Sequence, residues 1–193
     1  LRNGKNTLVL KIFRWSTGSY LECQDFWRLS GIERDVFLYS QPKVAVKDFR
    51  VISTLDDSYT DGIFELAVDV RNHALAGKKM QVFYELIDKV SGKVAVNGVS
   101  DCEVKSAETQ TVTFNASLPG VKTWTSEAPN LYKLLITLKE GNEVTEIIPF
   151  NVGFRRIEIK AIDQIAKNGK PYVVLLINGQ PLKLKGINIH EHN

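Results

Sequence analysis

Ile63-Phe64-Glu65-Leu66-Ala67-Val68-Asp69-Val70-Arg71 is the stretch that decides the fold of this chain. Phe64, Leu66, Val68 and Val70 occupy every second position, and Glu65 and Asp69 stand between them. Successive side chains of a strand point to opposite faces, so a period of two buries one face and leaves the other polar. Leu134, Ile136 and Leu138 repeat the pattern. Working outward, seven strand-like runs lie between Lys43 and Val152: 45–54, 63–71, 80–88, 93–97, 111–117, 132–139 and 144–152. Turn signals separate them at Asp61-Gly62, Ser91-Gly92, Pro119-Gly120 and Gly141-Asn142. Seven short alternating strands in one such span predict an immunoglobulin-like β-sandwich. The Cys…Trp…Cys hallmark of antibody domains is absent. The core must therefore hold by burial, at about 25 cal/mol per Å² of apolar surface.

The flanks read differently. Residues 7–13 alternate with Leu8, Leu10 and Ile12 on one face, and 36–39 read as a second strand. Between them, 16–31 is irregular and aromatic-rich. Ser40-Gln41-Pro42 marks a boundary, because proline cannot donate to a sheet ladder. Past Gly153, residues 172–177 read as an apolar strand. Asn178-Gly179 is a strong hairpin turn signal, and 182–187 read as the return strand. Residues 161–170 read as a looser insertion with room for one helical turn.

The expected fold class is all-β. The expected divisions are 1–42, 43–153 and 154–193: the tail of one β domain, a complete sandwich, and the opening of a third domain. The chain of 193 residues lacks an initiating Met, so a piece of a longer protein is expected.

Composition excludes some classes. The hydrophobic fraction of 44% and charged fraction of 24% are those of an ordinary globular chain. A net charge of +3 without a basic stripe argues against nucleic acid as a partner. Lys183-Leu184-Lys185 reads as one solvated strand face. No apolar run approaches the roughly 18 to 20 residues of a membrane span, and no membrane partner is expected. Cys23 and Cys102 match no metal spacing and read as two free thiols. Asn115-Ala116-Ser117 fits a glycosylation sequon inside a strand-like run. The compartment, cytoplasmic or periplasmic, is left open.

Two clusters could carry chemistry. His190 and His192, two positions apart in Asn188-Ile189-His190-Glu191-His192-Asn193, would share a face on a strand. Three readings stay open for them: a metal site, an exposed strand end, or a polar pocket at the C-terminal end of a barrel strand. Asp25 lies in Glu22-Cys23-Gln24-Asp25-Phe26-Trp27. A carboxylate among aromatics suits a sugar site, where rings stack on C–H faces and carboxylates accept hydroxyl protons. The other reading is a surface loop whose Phe26 and Trp27 plug the core. Trp15 and Trp124 read as packing residues, and His73 is given no role. Residues alone supply no nucleophile pair, phosphate loop or catalytic triad.

Motifs add to this. Phe13-Arg14-Trp15-Ser16-Thr17-Gly18-Ser19-Tyr20-Leu21-Glu22, then Gln24-Asp25-Phe26-Trp27-Arg28-Leu29-Ser30-Gly31-Ile32 and Arg34-Asp35-Val36, resembles the end of the sugar-binding jelly roll in family 2 β-galactosidases. Trp124-Thr125-Ser126-Glu127-Ala128-Pro129-Asn130-Leu131-Tyr132 and Val152-Gly153-Phe154-Arg155 look like that family's motifs at the end of its first sandwich domain. Ile177-Asn178-Gly179-Gln180-Pro181, Lys185-Gly186-Ile187-Asn188 and His190-Glu191-His192 look like the opening of its catalytic (β/α)8 barrel.

The resemblance implies a retaining β-galactosidase, oligomeric in full length, whose substrate is a terminal β-D-galactoside. It implies two catalytic glutamates further along the longer protein, so this stretch alone would be inactive. Asp25 would contact the galactosyl 6-hydroxyl and help hold a sodium ion. His190 would hydrogen-bond a galactosyl hydroxyl, with Asn188 and His192 as neighbours. Glu191 would buttress the pocket floor. Magnesium ligands would lie elsewhere in the longer protein. His-Glu-His rather than His-Glu-Asp favours galactose over the β-glucuronidase or β-mannosidase relatives. A stand-alone carbohydrate-binding or adhesion sandwich is the reading from another class. The chain departs from the family's pattern at Cys23, usually acidic, at Asn193, commonly His, and in the length of 161–170.

Overall fold

The computed structural model describes residues 2–22, 31–32, 34–165 and 167–188. The chain divides into two compact units, residues 40–184 on one hand and residues 1–39 with 185–193 on the other.

Among its described residues the larger unit holds ten strands. They are β1 (Val44–Leu55), β2 (Gly62–Asn72), β3 (Lys78–Asp88), β4 (Val94–Val104), β5 (Thr109–Leu118), β6 (Tyr132–Glu140), β7 (Glu143–Val152), β8 (Ile157–Ile165), β9 (Pro171–Ile177) and β10 (Gln180–Pro181). They form three sheets, ordered β1-β2-β5, β4-β3-β6-β7 and β10-β9-β8, and every pairing is antiparallel. The first two sheets are the sandwich. All seven runs expected between 43 and 153 are present as β1–β7. The fourth is longer than its apolar pattern suggested, since β4 continues through Cys102 to Val104.

The period of two is what builds the core. Phe64, Leu66, Val68 and Val70 of β2 are buried, as are Met80, Val82, Tyr84 and Leu86 of β3 and Leu134, Ile136 and Leu138 of β6. Register brings like to like: Val82 faces Leu138, Tyr84 faces Ile136 and Leu86 faces Leu134. Tyr84 lies 5.5 Å from Phe64 and 4.9 Å from Phe114 by ring centroid, which ties one sheet to the other through aromatic contact.

Two polar side chains finish the sandwich. Asn72, fully buried, donates to the carbonyls of Ala76 and Val104 and accepts from the Ala74 amide. At the β1 bulge between Val46 and Asp48, the Val46 amide donates 2.7 Å to Glu146 of β7. A buried donor left without a partner costs about 1–3 kcal/mol, so Glu146 does the work of a ladder carbonyl there.

The third sheet corrects the reading of 161–170. Residues 157–165 are a strand, with Ile157 opposite Ile177, Ile159 opposite Leu175 and Ala161 opposite Val173. The alternation Ile157-Glu158-Ile159-Lys160-Ala161 breaks at Ile162-Asp163, and the ladder to β9 carries the strand on to Ile165. The turn at Asn178-Gly179 is where it was expected, with φ of 48° and 76°. The return strand is much shorter than 182–187: β10 is two residues, and 182–188 form no strand.

In the smaller unit the described residues contain one short helix, α1 (Ser19–Glu22), and no strand. Thr17-Gly18 opens it, with Ser16 and Ser19 exchanging backbone and hydroxyl hydrogen bonds. The strands expected at 7–13 and 36–39 are not formed. Alternation prepares a face, but a strand also needs a neighbour for its amides, and no described residue supplies one there. Leu8, Leu10 and Ile12 are exposed accordingly. Trp15 is 50% exposed, with the Arg14 guanidinium 5.6 Å from its ring. No helix among the described residues is long and apolar enough to cross a membrane.

Candidate functional site

Three of the four substrate-site candidates, Asp25, His190 and His192, lie outside the described residues, as do Cys23 and Glu191. Asn188 is described; it is exposed and belongs to no strand. Cys102 is a free thiol on β4. His73 is exposed just past β2, and its amide donates to the Lys43 carbonyl. Among the described residues no group of three or more His, Cys, Asp or Glu is placed to hold a metal ion.

What the larger unit does bring together is the end of the sandwich from which the hairpin sheet leaves. Two of the sequence motifs converge there. Trp124 donates its amide to the Phe154 carbonyl, and Thr123 bridges Phe154. Arg155 stacks its guanidinium 4.5 Å from the Trp124 ring, an exposed cation–π contact of about 0.5–1 kcal/mol. Trp124 is thus a packing residue, as expected, but at a surface. Beside it opens a cleft of about 490 Å³ lined by Val51, Ser53, Trp124, Phe150, Asn151 and Arg155.

The second constellation was not legible in the sequence. The turn between β1 and β2 is wound around Asp56. Its carboxylate accepts from the Ser58 hydroxyl and from the amides of Thr60 and Asp61. That winding forces Tyr59 to φ 59°, a conformation that costs a bulky residue on the order of 1–3 kcal/mol. The Tyr59 hydroxyl donates 2.7 Å to Glu158 and accepts 3.0 Å from Lys160. Glu158 also pairs with Arg156 at 3.0 Å and Lys160 at 2.9 Å. Arg156 reaches back to Asp57 at 2.7 Å and to the Leu55 carbonyl. Hydrogen bonds from Lys160 and Tyr59 hold the Glu158 carboxyl below the ordinary carboxylate range.

Asn178 completes the junction. Its side-chain oxygen accepts from the Arg156 amide and its side-chain NH2 donates to the Trp124 carbonyl. Only the Asn178-Gly179 turn carried a local signal. The rest are paired across about a hundred positions, where no spacing rule reaches. The one hint is the charge row Arg156, Glu158, Lys160 at every second position across the start of β8. No member of this cluster is a nucleophile beside a base. Its acidic groups are all committed to cations or hydroxyls, so its chemistry is that of a fixed polar joint.

Two of the carboxylates at turns make a pH prediction. Asp56, held chiefly by the Ser58 hydroxyl, and Asp88, held chiefly by Lys122, both have pKa values lowered to about 2. An unfolded aspartate sits near 3.9. Their contribution to stability is therefore complete above about pH 4 and is lost as pH falls towards 2. Urea midpoints between pH 5 and pH 2 should fall less steeply in Asp88→Asn than in the unchanged chain. Parallel curves would mean that Asp88 has the same affinity for protons folded and unfolded.

Comparison with known proteins agrees with the motifs. The family model described as glycosyl hydrolases family 2 matches residues 44–155, and that of the family's sugar binding domain matches residues 1–42. A beta-galactosidase of Priestia megaterium is 35% identical over 192 residues, which is 99% of this chain and 18% of that protein. One from Klebsiella pneumoniae is 34% identical over 196 residues, 100% of this chain and 18% of its own length. This chain thus spans under a fifth of the curated relatives it matches. Among solved structures, a beta-glucuronidase of Bacteroides uniformis superposes with a TM-score of 0.73 at 19% identity, covering 86% of this chain and 20% of that one. At that identity the likeness is one of fold.

Proposed function

We propose, since this chain belongs to glycosyl hydrolase family 2, that it is part of a retaining β-galactosidase acting on terminal β-D-galactosides. The observation that carries this is identity of 35% over 99% of the chain to a protein named beta-galactosidase. In this reading residues 1–42 close a sugar-binding jelly roll, 43–153 are the sandwich, and 154–193 lead into the catalytic barrel. Asp25 contacts the galactosyl 6-hydroxyl and is one oxygen ligand of a sodium ion, for which a hard carboxylate is suited. His190 hydrogen-bonds a sugar hydroxyl more strongly in the transition state than in the bound substrate, which speeds turnover without acid–base chemistry. Asn188 and His192 flank it.

A retaining glycosidase needs two carboxyl groups about 5–5.5 Å apart. We assign both, and the magnesium ligands, to the longer protein beyond this stretch. The 193 residues alone supply scaffold and part of the sugar contacts, and bind galactose at millimolar concentration or not at all. The longer protein is a homo-oligomer in this reading.

The test is hydrolysis of nitrophenyl β-galactoside against nitrophenyl β-glucuronide by the full-length protein, with and without sodium. Preference for the galactoside, strengthened by sodium, is expected. Preference for the glucuronide would keep the family and overturn the sugar. Micromolar galactose binding by the 193 residues alone, read by calorimetry, would favour a carbohydrate-binding module instead.

A further inference from the structure

The core of the larger unit closes without the hairpin sheet. Its buried cluster is built from residues of β1–β7 and Phe154, and no residue of β8, β9 or β10 belongs to it. Among the described residues of 157–181 only Leu176 is buried. Ile157, Ile159, Ile165 and Val173 are all exposed. Apolar burial is the main favourable term in folding, so little of it holds this sheet down.

What attaches the sheet to the sandwich is polar, and most of it meets one side chain. The Tyr59 hydroxyl donates to Glu158 and accepts from Lys160. The Arg156 guanidinium and the Lys160 ammonium each lie 5.6 Å from the Tyr59 ring. Gly179 leaves room for that ring, since a Cβ there would lie 2.6 Å from it. Arg156 also donates to the Leu55 carbonyl and to Asp57, and Asn178 to the Trp124 carbonyl. The Asp57 side chain is 98% exposed, so its ion pair is worth little. Glu158 is different: its side chain is 14% exposed, and it stands between Arg156, Lys160 and the Tyr59 hydroxyl. Without its charge, the two cations would be left beside one ring with their shared partner gone. Tyr59 cannot follow the sheet outward. The turn wound around Asp56 fixes it to the sandwich in a strained conformation, and such strain persists only where the surroundings enforce it.

We propose that the hairpin sheet is an acid-released leaf: it opens from the sandwich as one unit, latched at neutral pH by the ionised Glu158 on Tyr59, while the sandwich stays folded. The latch lies wholly within residues 40–184. Segments with few buried apolar contacts open at lower free energy than the core, and they open as contiguous units. The groups that face Glu158 are Arg156 and Lys160 from its own side and Tyr59 from the turn between β1 and β2, with Asp57 reached through Arg156. Leu176 stands opposite Glu158 in the ladder and carries no charge. Hydrogen bonds from Lys160 and Tyr59 hold the Glu158 carboxyl below its ordinary range. Its contribution is therefore complete above about pH 4.3, where an unfolded glutamate is also ionised, and is lost as pH falls.

The experiment is hydrogen exchange read by mass spectrometry on the 193-residue chain, whose sandwich core is complete. Protection factors over 171–177 are compared with those over 132–139 of β6. At pH 7 the hairpin segment should be at least about tenfold less protected than β6. Glu158→Gln keeps the shape and removes the charge; it should lower protection over 171–177 by a further fivefold or about that, with β6 changed less than about twofold. Tyr59→Phe, which keeps the ring and removes the hydroxyl, should act in the same direction. Between pH 5 and pH 3 the unchanged chain should lose protection selectively over 171–177, and Glu158→Gln should lose little more. Equal protection of the two segments in the unchanged chain overturns the proposal. So does unaltered exchange over 171–177 in both variants, a loss shared by β6, or the same pH response with and without the Glu158 carboxylate.

Discussion

Phe154→Ala is expected to lower the free energy of unfolding by about 3–5 kcal/mol, the range for a large aromatic deleted from a packed core. The Phe154 ring is 0% exposed, and Tyr132 meets it edge-on at 5.4 Å. Another neighbour is a glycine: a Cβ on Gly62 would lie 2.8 Å from the ring, so β2 begins with the residue that lets the ring in. The ring also stands where three segments meet. Its own backbone carbonyl accepts from Trp124, and the hairpin sheet begins three residues later. Such a site cannot collapse onto a void without moving the strands around it, which places the cost at the upper end of the range.

Urea denaturation followed by tryptophan fluorescence would measure it. Against a typical total of about 5–15 kcal/mol, the loss would leave the sandwich marginal. Phe154→Leu fills more of the space and should cost roughly 1–2 kcal/mol. A loss under about 1 kcal/mol for the alanine variant would contradict the packing described above.

Asp25→Ala in the full-length protein should reduce turnover of nitrophenyl β-galactoside on the order of a hundredfold, equivalent to about 2.7 kcal/mol of transition-state stabilisation. A charge-assisted hydrogen bond to a sugar hydroxyl, together with an oxygen ligand of a cation, accounts for an effect of that size. On the proposed role of Asp25, the same substitution should blunt the response to sodium, because the cation would lose a charged ligand. The sandwich should keep its unfolding midpoint, since its core is closed by residues of β1–β7 and Phe154. Unchanged kinetics, or sodium dependence equal to wild type, would withdraw Asp25 from the site and leave the family membership untouched.

The two predictions draw on different kinds of information. Phe154 stands in Val152-Gly153-Phe154-Arg155, a motif visible in the sequence, but its burial against Gly62 and Tyr132 is a property of the fold. Asp25 is a reading of sequence motif alone.

What the sequence determined by itself is the sandwich. Phe64 to Val70 and Leu134 to Leu138 alternate, and alternation is local: each residue carries its own instruction to face in or out. The hairpin turn at Asn178-Gly179 is local for the same reason, since positive φ is a property of those two residues. The motifs around Asp25, Trp124 and His190 were equally legible, as was the family they indicate.

The tertiary structure decided the rest. Residues 162–165 became strand because β9 lay alongside, since the alternation of 157–161 does not continue through them. Residues 7–13, with alternation of their own, formed none, because a ladder needs a second strand to accept and donate. The joint of Tyr59, Arg156 and Glu158 joins positions about a hundred apart, and Tyr59 and Gly179 accommodate one another only once both turns are in place. Periodicity reports the face a residue prefers; it carries no record of which distant residue will stand opposite.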